Sequence, residues 1–245
     1  MERRFLKIII FTGLLITSCQ QIPINESNKK FVGDNIDKQN LEIDLKKQEK
    51  IISYHSDIWS YILTNSSYTS DGLDEQTLMY MNRHLQDLDK FKEFLNDSYY
   101  FIFFVIEELE NAKLPIELAF LPYIESNYDP FSISSSGAVG MWQFMPRTGR
   151  TYDLERSWWN EDRHDPFKST SAAIKYLKYL YERFDQDLYL TLAAYNAGPS
   201  FLDRQIKRNQ RRGLNTDYWS LDLPIQTRNY VPKFIAIKEL IINSD

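Results

Sequence analysis

The sequence predicts an all-α protein, and three observations carry that expectation. Apolar residues recur at spacings of three and four through most of the chain beyond position 40, the period of helices with one buried face. Only eight glycines occur in 245 residues, too few for the many tight turns of a β architecture. Hydrophobic residues make up 43% of the chain. A region of about 150 residues with that composition can close around one core.

The chain opens on Arg3, Arg4 and Lys7, followed by an apolar run from Ile8 to Ile16. That run is too short to cross a bilayer, so residues 1–18 read as a secretory signal peptide. Ile16-Thr17-Ser18-Cys19 looks like a lipoprotein acylation box. Cys19 is the single cysteine, which excludes an internal disulfide and makes it the candidate for lipid attachment. Residues 19–40 are rich in Asn, Lys, Gln and Asp, the composition of a flexible tether. A coil of that length spans roughly 25 Å. The expected location is the cell envelope, and Gln20 after the cysteine, instead of Asp, favours the outer membrane facing the periplasm.

Residues 41–97 read as an N-terminal helical segment with two helices, Leu41 to Asn65 and Leu73 to Asn96. Ile58, Tyr61 and Ile62 belong to the stripe of the first, and Leu78, Met81, Leu85, Leu88 and Phe91 form that of the second. Asn96-Asp97-Ser98 suits a cap for the next helix, Tyr99 to Ala112, which is apolar nearly all round in its first half. That helix is expected to be the spine of a domain spanning 98–245.

Pro115 then starts a short helix in which Leu118, Leu121 and Ile124 face the core. Glu125 leaves that core at its rim, flanked by Tyr123, Ile124 and Tyr128. Partial desolvation disfavours the ionised carboxylate, so Glu125 keeps a proton near neutral pH and can donate it to a leaving oxygen. A solvated glutamate at a helix end is the plainer alternative. Asn127 to Pro130 makes a turn, and the serines from Ser132 to Ser136 can approach a ligand closely. Gly137 and Gly140 permit backbone geometry that larger residues resist.

Beyond a loop bearing Trp158 and Trp159, Asp165-Pro166 leads into a helix that Ser169 or Thr170 can cap, with Ala173, Leu177, Leu180, Tyr181 and Phe184 buried. A further helix from Asp187 stops at Gly198-Pro199 and presents Tyr195 and Asn196 in its last turns. Residues 217–224 connect to a last helix, Tyr230 to Asn243, with Phe234, Ile237, Leu240 and Ile241 facing inward.

Charge and spacing exclude several functions. The formal charge of the chain is -5. Loss of residues 1–18 leaves 26 Lys and Arg against 33 Asp and Glu, so no nucleic-acid partner is expected. The cluster Lys207, Arg208, Arg211 and Arg212 reads as a solvated helix face or a local contact with an anionic group. His55 and His84 have no His or Cys at ligand spacing, so no metal site is expected. His164 lacks a nucleophile motif nearby, so no triad is assigned. Asp129, Glu155, Glu161, Asp162 and Asp165 sit in loops where capping and surface roles suffice.

Four pieces in order carry a family resemblance: Glu125-Ser126, Gly137 to Gln143, Ala194 to Gly198, and Thr227 to Lys233. From about Tyr99 onward the chain resembles the lytic transglycosylases of the soluble-lytic-transglycosylase (SLT) type. The resemblance implies a lysozyme-like fold, no cofactor, peptidoglycan glycan strands as partner, and cleavage between N-acetylmuramic acid and N-acetylglucosamine with formation of a 1,6-anhydro end. It makes Glu125 the one acid and base. It also gives Ser134, Gln143, Asn196 and Tyr230 as substrate-pocket residues, and Tyr195 as the group that orients Glu125 or the substrate. The bulky Trp142, in place of the family's common methionine, suits either a wall for a sugar ring or the core. Gln226 stands where relatives commonly have Glu, and the chain ends at Asp245 without the wall-binding modules that often follow. A hydrolytic muramidase using the same pocket, or a non-catalytic wall-binding lipoprotein, are the alternatives.

Overall fold

A computed structural model describes residues 58–66, 74–86 and 88–242, all within the unit Ile51–Asp245. The signal peptide, Cys19, the tether and the first part of the helix expected from Leu41 lie outside the described residues. Among the described residues ten helices follow in order: α1 (Ile58–Asn65), α2 (Glu75–Leu85), α3 (Leu88–Ala112), α4 (Leu121–Ser126), α5 (Pro146–Thr151), α6 (Pro166–Arg183), α7 (Leu188–Ala197), α8 (Pro199–Arg211), α9 (Ile225–Arg228) and α10 (Tyr230–Ile242). Short 3-10 turns lie at Ile116–Phe120, Asp162–His164 and Tyr218–Ser220. Among the described residues there is no strand, only isolated antiparallel bridges such as Ile133 with Val139. The all-α expectation holds.

The cap expected at Asn96-Asp97-Ser98 does not form, because α3 runs unbroken for 25 residues and crosses position 98 in mid-helix. The boundary drawn between residues 97 and 98 therefore falls inside one element. Weak helix formers there cost a few tenths of a kcal/mol each, on the order of 1–2 kcal/mol together. Burial decides against them. Ser98, Ile102, Val105, Ile106 and Leu109 are all solvent-free, and each large apolar side chain among them contributes roughly 1.5–3 kcal/mol.

At the centre sits α7, whose Leu188, Leu190, Leu192, Ala193 and Ala194 are buried on several sides. It packs against α6, α8, α9 and α10. Asp165 caps α6 by accepting from the Phe167 and Lys168 amides at 2.9 and 3.0 Å. The expected caps, Ser169 and Thr170, instead turn their hydroxyls back to the carbonyls of Asp165 and Pro166. They lie one turn too far along to reach the free amides.

α10 is buried nearly all round, including Ile235, Ala236 and Lys238 beside the expected stripe. The cover on its other side is α2, which packs along it. The face α2 uses is not the expected one. Leu78 and Leu85 are 44% and 49% exposed, whereas Thr77 and Tyr80 are buried and Met81 and His84 half-buried. The contact is made by a polar and aromatic stripe one residue out of step with the leucines. Tyr80 meets Lys233, and His84 meets the Tyr123 hydroxyl. α1 is tied in by Tyr61, which donates to Glu110, and by the Ser66 hydroxyl, which donates to Glu117 at 2.6 Å.

Candidate active site

Glu125 stands in the last turn of α4, which begins with Pro122 in its first turn and follows the buried 3-10 turn Ile116–Phe120. Asn127 ends the helix in the left-handed region at φ 55°, and Tyr128 follows at φ 62°. Asn tolerates that conformation; a bulky Tyr resists it, at a cost of about 1–3 kcal/mol. Two hydrogen bonds hold Tyr128 there: its amide donates to Pro122 O at 3.1 Å, and its buried hydroxyl donates to Ala119 O. The reversal turns the chain at once into the loop 129–144. The Ser126 hydroxyl pins that loop back, donating to Met141 O at 2.9 Å.

The Glu125 carboxyl is enclosed by tyrosines. The Tyr230 hydroxyl, from the first turn of α10, donates to Glu125 Oε1. Burial raises the Glu125 pKa from 4.5 to about 7, while the Tyr230 hydrogen bond and the Lys233 charge pull against the rise. Near neutral pH this carboxyl is thus shared between its two protonation states, as a group that must give and retrieve a proton requires. Burial, then the charge of Glu125, holds Tyr195 and Tyr230 well above the ordinary phenol value, so both remain donors. The direct bond to Glu125 comes from Tyr230. Tyr195 donates to Trp142 O at 2.8 Å and so props the loop beside the carboxyl.

The other expected pocket residues fall on the loop and on the end of α7. Gln143, at φ 49°, donates its amide nitrogen to Gly140 O at 2.8 Å and to Ser132 O at 3.3 Å, which leaves the amide oxygen to meet a ligand. Ser134 accepts from the Ala138 amide at 2.9 Å and pairs with Ser136 at 3.0 Å. Asn196 accepts from the Thr227 hydroxyl at 2.9 Å, which directs its amide nitrogen away as the remaining donor. Trp142 is no sugar wall: it has no exposed surface, and its indole nitrogen donates to Thr170 at 2.9 Å inside the core. A large apolar ring with a satisfied N–H gains more from burial than from the loop surface. Gln226 is exposed on α9, and Cys19 lies outside the described residues.

One supporting residue was invisible in the sequence. Arg163 is buried, donates to both Glu161 oxygens at 2.7 Å, and reaches the carbonyls of Phe144 and Gly137 at 2.9 and 3.3 Å. It grips the loop at its middle and at its far end. Its own carbonyl lies 1.8 Å from where a Cβ on Gly140 would stand, at φ +83°, so only glycine fits. Nothing but a lone Arg two residues after a Glu signals this, and that pattern is common on surfaces. His164 Nδ1 donates to Pro130 O at 2.8 Å and joins no triad.

The comparisons with known proteins agree with the motifs. Residues 104–217 match the family model "Transglycosylase SLT domain". Membrane-bound lytic murein transglycosylase D of Escherichia coli K12 is 34% identical over 200 residues, which cover 79% of this chain and 42% of that protein. A putative tributyltin chloride resistance protein of Alteromonas sp. M-1 is 37% identical over 106 residues, 43% of this chain and 51% of the other. The chain thus spans about half or less of the length of these two relatives. A solved structure of an inactive mutant of the lytic transglycosylase Slt from Pseudomonas aeruginosa aligns at a TM-score of 0.45 and 24% identity, over 57% of this chain and 23% of that one. Residues 104–217 thus match the Transglycosylase SLT domain, and the chain resembles lytic transglycosylases of that type over most of its length.

Proposed function

We propose that this protein is a peptidoglycan lytic transglycosylase in which Glu125 serves as the single acid and base. The observation that carries the reading is one carboxyl, enclosed by Tyr230 and Tyr195, with its pKa lifted to about 7 by burial. Protonated Glu125 donates to the oxygen between N-acetylmuramic acid and N-acetylglucosamine as the anomeric C–O bond breaks. The resulting carboxylate then takes the proton of the muramoyl 6-hydroxyl as that oxygen bonds to the anomeric carbon. No water is consumed, and the product ends in 1,6-anhydro-N-acetylmuramic acid.

A hydrolytic glycosidase needs a second carboxylate. Of the loop candidates, Asp129 holds the Phe131 amide, Glu161 holds Arg163, Asp162 holds Lys168, Asp165 caps α6, and Glu155 is exposed. In the reading proposed here, the Gln143 oxygen and the Asn196 amide nitrogen contact the glycan. Ser134 lines the lip and Tyr195 orients the site through Trp142 O. Cys19 carries the lipid that keeps the enzyme at the envelope, on the outer membrane facing the periplasm. Residues 19–40 are the tether, and the helical part expected at 41–97 runs on through α3 into the catalytic part without a break at position 98. Support comes from the relative's name, membrane-bound, and from the acylation box. Fatty-acid labelling of cells carrying Cys19→Ala tests the anchor, which is wrong if label persists.

The test of the reaction is digestion of purified wall sacculi, with the products weighed. The expected fragments are lighter by one water than hydrolysed ones and lack a reducing end. Glu125→Gln lowers their release by at least about 10²-fold while glycan still binds. Reducing ends in the wild-type digest would make the protein a muramidase. Binding without any release would make it a wall-binding lipoprotein.

A further inference from the structure

The stripe that α2 lays on α10 is polar and aromatic, and it converges on the site. The Tyr80 ring, buried, lies 5.5 Å from Lys233 Nζ, within reach for attraction of the ammonium to the ring face. Lys233 is three residues after Tyr230 on α10, so both side chains leave the same face of that helix. Tyr230 is bonded to Glu125. One turn further along α2, His84 Nδ1 meets the Tyr123 hydroxyl at 3.1 Å, two residues before Glu125. A leucine stripe would have packed on α10 without reaching any of these groups.

We propose that Tyr80 is a positioning residue for Glu125: its ring face holds the Lys233 ammonium on the side of α10 that faces the carboxyl. Lys233 has four stem carbons and is only half-buried, so without a partner its charge would move out to water. Held in place, it favours the carboxylate and opposes the desolvation that favours the acid. The titratable groups around Glu125 are Tyr195 from α7, Tyr230 and Lys233 from α10, and Tyr123 from its own helix with His84 behind it. Arg83 shares the Tyr80 ring with Lys233, its guanidinium carbon 5.6 Å from the centroid. Among them Lys233 is the cation that acts on Glu125. The inference rests on the reading of Glu125 as the acid and base, and it assigns part of the tuning of that acid to a helix outside the matched segment 104–217.

The experiment is titration of the Glu125 carboxyl in the full-length protein by ¹³C NMR, with glutamate labelled and the resonance assigned by Glu125→Gln. Tyr80→Met keeps an apolar side chain but removes the ring. The midpoint is expected to rise by about half to one pH unit, since a nearby cation is lost. Tyr80→Phe, which keeps the ring, is expected to leave it in place. Lys233→Gln should raise it at least as far, and Tyr80→Met added to Lys233→Gln should raise it no further. If Tyr80→Met does not fold, Tyr80→Leu is read in the same way, with thermal unfolding as the control. An unchanged midpoint in the ring-less variant, or an equal shift with Lys233 already absent, overturns the proposal. The readout is independent of turnover. A shifted midpoint in a protein that releases no anhydro fragments would leave Tyr80 standing and remove the enzymatic reading, and the reverse result would do the opposite.

Discussion

Two carboxyls in this protein are both withdrawn from water, and they behave in opposite ways. Glu125 meets one hydroxyl donor and sits among rings, and its pKa rises to about 7. Asp162, 3% exposed, accepts from Lys168 and Asn160 at 2.7 Å and from the Glu155 amide at 3.0 Å. Burial pushes Asp162 up too, but those three donors outweigh it and hold its carboxyl below the usual value. What separates the raised carboxyl from the fixed anion is therefore the supply of donors. The site keeps its acid by withholding them, while the supporting loop 155–165 saturates its own.

The contrast can be broken most forcefully at Arg163. Arg163→Met leaves the carbonyls of Phe144 and Gly137 and the carboxylate of Glu161 without their shared donor. Each carbonyl loses a charged donor, at about 1.5–3 kcal/mol apiece, while Glu161, 23% exposed, keeps Arg156 at 3.3 Å. A large fall in the thermal unfolding midpoint is expected, together with a loop 137–144 that exchanges its amides faster. A variant as stable as wild type would mean that the loop holds its own shape.

Amide replacement of the two acids sharpens the comparison, because the signs differ. The folded pKa of Glu125 lies above the unfolded value, so its contribution is complete below pH 4.5 and is lost as pH rises through about 7. A rise from 4.5 to about 7 corresponds to about 3 kcal/mol. Glu125→Gln is thus expected to be more stable than wild type at pH 8, by up to that amount, with the difference gone at pH 4. Asp162→Asn should do the reverse. Its folded pKa is depressed, so the stabilisation is present above the ordinary value of 3.8 and disappears as pH falls through the lower folded value. The expected loss is about 1–2 kcal/mol at pH 7. Urea unfolding at pH 4, 6 and 8 reads both variants, and equal signs would dissolve the distinction.

The desolvated setting of Glu125 was legible in the sequence because it is local: an apolar helix ends, and a polar loop with two glycines begins. Its partner Tyr230 lies 105 residues away and was reached only through the family motif. The α2 stripe was misread because hydrophobic periodicity weighs leucines, whereas the contact is made by Thr77, Tyr80 and His84. A neighbouring helix offering Lys233 cannot be inferred from a pattern within α2. Asn96-Asp97-Ser98 failed as a cap for a similar reason, since local propensity at the level of tenths of a kcal/mol yields to burial of a whole helix face. Arg163 left no trace at all, because a lone arginine in a loop has the same spelling whether it is solvated or clamped.

The two glycines of the site loop differ in what surrounds them. A side chain on Gly137 would meet open space, whereas at Gly140 it would collide with the Arg163 main chain. The loop is thus built like a drawbridge, hinged on a bearing with no clearance and free at its outer span. Variation in the loop has room at the exposed Ser135 and Ser136, between Ser134, whose hydroxyl accepts from the Ala138 amide, and the left-handed turn at Gly137. At Gly140 a single methyl group would lift the bearing itself and shift Gln143, whose amide nitrogen donates to Gly140 O.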